Sequence, residues 1–137
     1  MQLSTQDALI YLMVVTASSD DGISDHELTQ IANLVGRSPV FEGYDVQALP
    51  QVVNGCVDRI NGDTGLEGVL DMAVAALPKR LQDTAYGLVV EVAVVDLHLP
   101  QEELRLLEMI RDRLEIDRLV TAAIEVSARA RLRKMQS

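Results

Sequence analysis

The sequence predicts an all-α protein of about seven helices, a bundle built from a duplicated helix-loop-helix. Apolar residues recur at helical spacing along the chain, and no stretch alternates as a strand would. One half also slides onto the other at a constant offset. Leu12 then meets Leu88, Val14 meets Val90, Ala17 meets Ala93, Asp20 meets Asp96, Ile23 meets Leu99, Glu27 meets Glu103, Leu28 meets Leu104 and Ile31 meets Leu107. A register kept through two helices and the loop between them marks an internal repeat. The 137 residues, 48% hydrophobic, suit one domain over 1–137 with a core that needs no staples.

The first helix is expected from Ser4 or Thr5, where a hydroxyl caps the opening amides, to Ser18. Its apolar residues cover most of the circumference, as in a helix at the centre of a bundle. Its repeat partner, Thr84 to Val95, is rich in valine and equally apolar. Ser24 and Glu27 form a capping box for the second helix, which carries Leu28, Ile31, Leu34 and Val35 and is expected to stop at Gly36, before Pro39. Phe41 and Tyr44 anchor the connection that follows. A third helix starts near Leu49 with Pro50 in its first turn and Val52, Val53, Cys56, Val57 and Ile60 inward. After the turn at Asn61-Gly62-Asp63, Asp63 or Thr64 caps a helix carrying Leu66, Val69, Leu70, Ala73, Val74 and Leu77. Pro78 opens the central helix of the second repeat, and Pro100 opens the helix of Leu104, Leu107, Ile110 and Leu114. Asp117 caps the last helix, with Leu119, Val120, Ala123, Ile124, Val126 and Leu132 as its apolar positions.

A net charge of −9 argues against a nucleic-acid partner, whose phosphates need a basic face, and suits cations or basic partners. The amino terminus lacks a basic leader and no apolar run reaches bilayer length, so the expected location is the cytoplasm. The one cysteine, Cys56, lies in an apolar run and reads as a small buried hydrophobe rather than a catalytic thiol. Arg129, Arg131, Arg133 and Lys134 crowd the last nine positions, where cations complement a helix C-terminus. Glu91 interrupts an apolar helix opposite Val15, and either reaches a basic residue such as Arg59 or Arg80 or faces outward.

Chemistry concentrates in the two repeat-related loops, Asp20 to Leu28 and Asp96 to Leu104, which hold both histidines, His26 and His98. Folding the repeats together would gather Asp20 or Asp21, Asp25, His26, Glu27, Asp96, His98, Glu102 and Glu103. Carboxylates packed that closely repel, and a hard divalent cation relieves them. Oxygen donors alone favour calcium or magnesium, whereas a histidine moves the preference toward zinc or manganese. The competing account is helix capping, since both loops end at helix N-termini and Glu27 already belongs to a capping box. The loop is too short for an EF-hand.

The run Ala17-Ser18-Ser19-Asp20-Asp21-Gly22-Ile23-Ser24-Asp25-His26-Glu27-Leu28 resembles the first motif of the tellurite-resistance TerB-like family. In the second loop Asp96, Leu99 and Glu103 occupy the matching places, and the likeness covers about Leu9 to Ile116. The resemblance implies a seven-helix, pseudo-symmetric domain of stress-response proteins, with an acidic cation-binding surface made by both loops. Members act in multiprotein assemblies, some at the membrane. Carried over by position, the ligands are Asp21 or Asp20, Glu27, Asp96 and Glu103. Asp20 keeps the spacing of the second copy and Asp21 precedes the glycine, so both stand. Leu97 replaces the second motif's glycine and Pro100 stiffens that loop.

The expectation is therefore a non-enzymatic TerB-like domain that binds a divalent metal ion (calcium, magnesium, manganese or zinc) at the joined loops. It has a protein partner and no transmembrane segment, with room for a homodimer or a peripheral membrane assembly. The alternative is a metal-free interaction module with an acidic docking face. No nucleophile, phosphate-cradling glycine loop or cofactor motif supports an enzyme.

Overall fold

The structure, a computed structural model, describes residues 3–18, 22–94, 101–133 and 135, with backbone only at 94 and 101–103. Among the described residues seven α-helices run in order: α1 Thr5–Ala17, α2 Asp25–Arg37, α3 Leu49–Asn61, α4 Gly65–Ala75, α5 Gln82–Val94, α6 Gln101–Arg113 and α7 Arg118–Leu132. Short 3₁₀ turns at Pro39–Phe41 and Val46–Ala48 lie in the α2–α3 joint, and one at Lys79–Leu81 lies in the α4–α5 joint. There is no strand among the described residues, so the all-α expectation holds.

α1 is the hub. Every residue from Ala8 to Ala17 is buried, because α3, α4, α5, α6 and α2 all pack on it. Six large apolar side chains of this helix are fully enclosed, each worth about 1.5–3 kcal/mol over exposure. Ser4 caps its start by accepting the Asp7 N–H at 3.1 Å, as expected from the hydroxyl there. Thr16, the one polar residue in the run, donates its hydroxyl to the Leu12 carbonyl at 2.9 Å.

The repeat is visible in the bundle. α2 and α6 both span 13 residues in the alignment's register, and α1 and α5 match within one residue. Leu12 and Leu88, Val14 and Val90, Ala17 and Ala93, and Ile31 and Leu107 are buried in pairs. Packing follows the same exchange: α1 on α3 corresponds to α5 on α7, and α1 on α6 to α5 on α2. α4, which packs on α1, α3 and α6, has no counterpart on α5, α7 and α2 among the described residues.

The capping box is present, Ser24 accepting from the Glu27 N–H at 3.1 Å and Glu27 from the Ser24 N–H at 2.9 Å. Phe41 is buried, and its ring meets Tyr44 edge-on at 5.9 Å; Tyr44 in turn donates to Asp7 at 3.1 Å. Asp117 caps α7 by accepting the Leu119 N–H at 2.7 Å. Cys56 is buried, its Sγ 3.9 Å from the Tyr11 carbonyl oxygen.

Several expectations need correction. α2 continues through Gly36 to Arg37 and ends at an extended Ser38, since Pro39 is the true stop. Thr64 makes no side-chain cap on α4; the chain enters that helix through Gly65 at φ +70°, a left-handed value glycine accepts. Leu104 is 45% exposed, because the inward row of α6 begins one turn later with Leu107 and continues through Ile110 and Leu114. α7 is rotated away from the expected apolar face: Leu119 is 81% and Val126 63% exposed, while Thr121 and Ala128 are buried. Polar tethers set that rotation. Glu125 accepts from Tyr86 of α5 at 2.6 Å, and Arg131 donates to Glu91 of α5 at 2.6 Å. The two tethers stand about 120° apart around α7, one on each side of the buried Thr121 and Ala128, so the small residues between them fill the contact.

Candidate functional site between α2, α5 and α7

Of the residues expected to bind a cation, Asp20, Asp21, Asp96 and His98 lie outside the described residues, and Glu103 is in α6 with its side chain outside them. Glu27 and His26 are described, and the structure separates their roles. Glu27 Oε1 accepts the Ser24 N–H of the capping box, which accounts for a carboxylate at this position without a metal. His26, one residue earlier, lines a cleft with α5 and α7. Among the described residues no group of three or more His, Cys, Asp and Glu side chains is placed to hold a metal ion. The two described donors therefore do not by themselves make a ligand set.

The cleft beside His26 has a volume of about 270 Å³. One wall is α2, contributing His26, Thr29, Gln30, Asn33, Leu34 and Arg37; the other is α7, contributing Leu132; Glu91 of α5 forms the floor. Glu91 is the pivot. Its side chain is only 14% exposed and it accepts from Arg37 Nη2 at 3.1 Å and Arg131 Nη1 at 2.6 Å. A carboxylate on an apolar helix must be paired when buried, and two helices supply the cations. The partners are thus Arg37 and Arg131 rather than Arg59 or Arg80, and Arg131 of the terminal basic cluster serves as a tether as well as a complement to the helix end.

Gln30 completes the picture. Its Nε2 is buried without a hydrogen-bond partner. An orphan amide donor costs about 1–3 kcal/mol. Sequence reasoning passed over Gln30, Asn33 and Arg37. The signal was available in the repeat: Gln30 and Asn33 stand opposite Leu106 and Met109, and Glu91 opposite Val15. Polar residues replace apolar ones at three neighbouring places.

A second cleft, of about 230 Å³, lies between α5, α6 and α7 beside Leu104. There the fully buried Tyr86 donates to Glu125, which also accepts from Arg111 Nη1 at 3.2 Å. Burial first, and the bond to Glu125 next, push the Tyr86 phenol above its ordinary range. This triad is satisfied internally. Its repeat-related positions, Ile10, Leu49 and Val35, are all buried in the core, so it does with polar contacts what the first half does by packing.

No helix among the described residues is long and apolar enough to cross a membrane. No protein-family model, curated protein or solved structure matches the chain.

Proposed function

We propose that this chain is a non-enzymatic, TerB-like helical module that works by docking a protein partner in the cleft between α2, α5 and α7. The observation that carries this reading is the unpartnered, buried Gln30 Nε2 beside the Arg37–Glu91–Arg131 cluster. The matching side of α1 is covered by α4 and apolar, whereas this side of α5 carries Glu91 and its two arginines. A photo-crosslinking residue at Asn33, in the cleft, should give a discrete adduct in cells that a crosslinker at the exposed, distant Asp58 does not give. Equal labelling from both positions, or none from Asn33, would reject the reading.

A divalent cation at the repeat-related loops is the second reading, favoured by the matched helix pairs α1–α2 and α5–α6 that carry those loops. Ligand that binds only the folded state raises the melting temperature. Metal-stripped protein should then gain stability with one of calcium, magnesium, manganese or zinc, and lose that gain in Glu27→Gln and Glu103→Gln. A flat response to all four ions leaves the acids as helix caps.

A further inference from the structure

The two halves of the bundle are covered unequally. α4 lies on α1 and α3, and Arg113 of α6 clasps it, with Nε 2.9 Å from Asp71 Oδ1 and Nη2 3.6 Å from Glu67 Oε1. Exchanging the halves carries α1, α3 and α6 onto α5, α7 and α2, which are the three helices that wall the cleft. The place of a second α4 is open among the described residues. α5 records this: Ala8, Tyr11 and Val15 are buried on α1, whereas their repeat partners Thr84, Gly87 and Glu91 are only partly covered.

The chemistry of the open place is specific. His26, Gln30, Asn33 and Arg37 follow one another at steps of four, three and four residues, which puts them in one stripe along α2. Each can donate hydrogen bonds, and Arg131 of α7 places a second guanidinium on Glu91 at the cleft floor. Arg37 is the repeat partner of Arg113, the residue that clasps the two acids of α4. It is 64% exposed, and Glu91 keeps Arg131 if Arg37 turns to a new partner. Leu34 and Leu132 supply the apolar part of the surface.

We propose that this open side of α5 seats an acidic amphipathic helix of a protein partner, lying as α4 lies on α1 and offering Arg37 two carboxylates one turn apart. The proposal rests on the cleft being the binding surface, and adds the partner's form and charge. The Arg37 and Arg131 guanidiniums suit carboxylates; a helix matches the shape that α4 fills in the other half.

The test pans the full chain against a displayed library of randomised single-helix peptides. Enriched peptides should carry Asp or Glu at i and i+4 beside an apolar stripe, and should protect α2 and α5 from hydrogen exchange. Arg37→Glu should weaken them by about tenfold or more, the effect of a lost charge-assisted contact, and peptides with the acids changed to lysine should recover binding to that variant. Asn33→Glu, at an exposed position, should weaken them too while leaving the thermal melt unchanged. Cleft-binding peptides that are basic or non-helical would overturn the proposal and leave the cleft a binding surface. Peptides that protect only other faces, or no enrichment, would overturn both. Binding to phosphatidylserine vesicles, or self-association, that is lost in Arg37→Glu would assign the site to a membrane or a second copy and overturn it as well.

Discussion

Replacing Glu125 by leucine isolates what the polar triad contributes. Leucine is the residue at the repeat-related place, Leu49, so the change restores an apolar side chain to a position that tolerates one. It leaves the Tyr86 hydroxyl, on a fully buried side chain, without its 2.6 Å acceptor. An orphaned buried hydroxyl costs about 1–3 kcal/mol. Arg111 loses its 3.2 Å bridge, but its side chain is 40% exposed and can turn to water, so that loss is at most about 1 kcal/mol. The expected destabilisation is about 2–3 kcal/mol, or a melting temperature lower by roughly 6–15 °C for a domain of this size. In a Tyr86→Phe background no hydroxyl is orphaned, and Glu125→Leu should cost only the bridge, about 1 kcal/mol or less. Thermal and urea melts of the four proteins close the cycle, with a coupling of about 1–3 kcal/mol between the two positions. Additive costs would refute the reasoning, since they would mean that Glu125 acts without the phenol.

Cys56 should make the fold alkali-sensitive. Burial pushes its thiol from the ordinary 9.0 to about 12, with nearby Arg59 pulling weakly the other way. Below pH 9 both folded and unfolded chains hold the proton; above it only the folded chain does, so stability falls as pH rises toward 12. The Cys56 share of the loss should reach about 1 kcal/mol by pH 10 in urea melts, and Cys56→Ala should remove that share, leaving the fall above pH 10 that the raised Tyr86 and Tyr44 phenols contribute. Ser24→Ala removes one arm of the capping box and should cost about 1 kcal/mol in the same melts, with hydrogen exchange rising first in the opening turn of α2. Leu119→Lys, on the exposed flank of α7, should change stability by no more than about 0.5 kcal/mol, whereas Ile110→Ala, fully buried in α6, should cost about 2–5 kcal/mol.

The fold was largely legible because apolar periodicity and helix punctuation report on local forces. Ser4, Ser24, Asp117 and Pro50 each act where their chemistry places them, and the all-round apolar α1 is indeed the buried hub. The rotation of α7 was not legible. Its alanines and valines allow several faces, and the choice is made by Glu125 and Arg131 bonding to α5, contacts between residues 39 and 40 positions apart. The end of α2 was misplaced because Gly36 permits a left-handed stop without requiring one. The same limit applied to Glu91: its need for a cation was readable, but which arginine reaches it depends on helix packing. Of the expected cation ligands, only His26 and Glu27 have described side chains, and the cleft and the capping box account for them.

Duplication explains why a binding surface would arise on the α5 side. A repeated helix-loop-helix closes a shared core with its two central helices, and every further helix must cover one of their remaining sides. α4 completes this for α1, and the residues beneath it stayed apolar, as Val15, Leu106 and Met109 show. On α5 the matching cover is missing among the described residues, and the same three places hold Glu91, Gln30 and Asn33. Water alone would favour polar side chains on an open face, but it would also leave their donors hydrated. The Gln30 amide is buried and unmet instead, and Glu91 is held by two arginines rather than by solvent. That combination, a carboxylate fixed between two helices beside an unmet amide, is the observation on which the proposed docking rests.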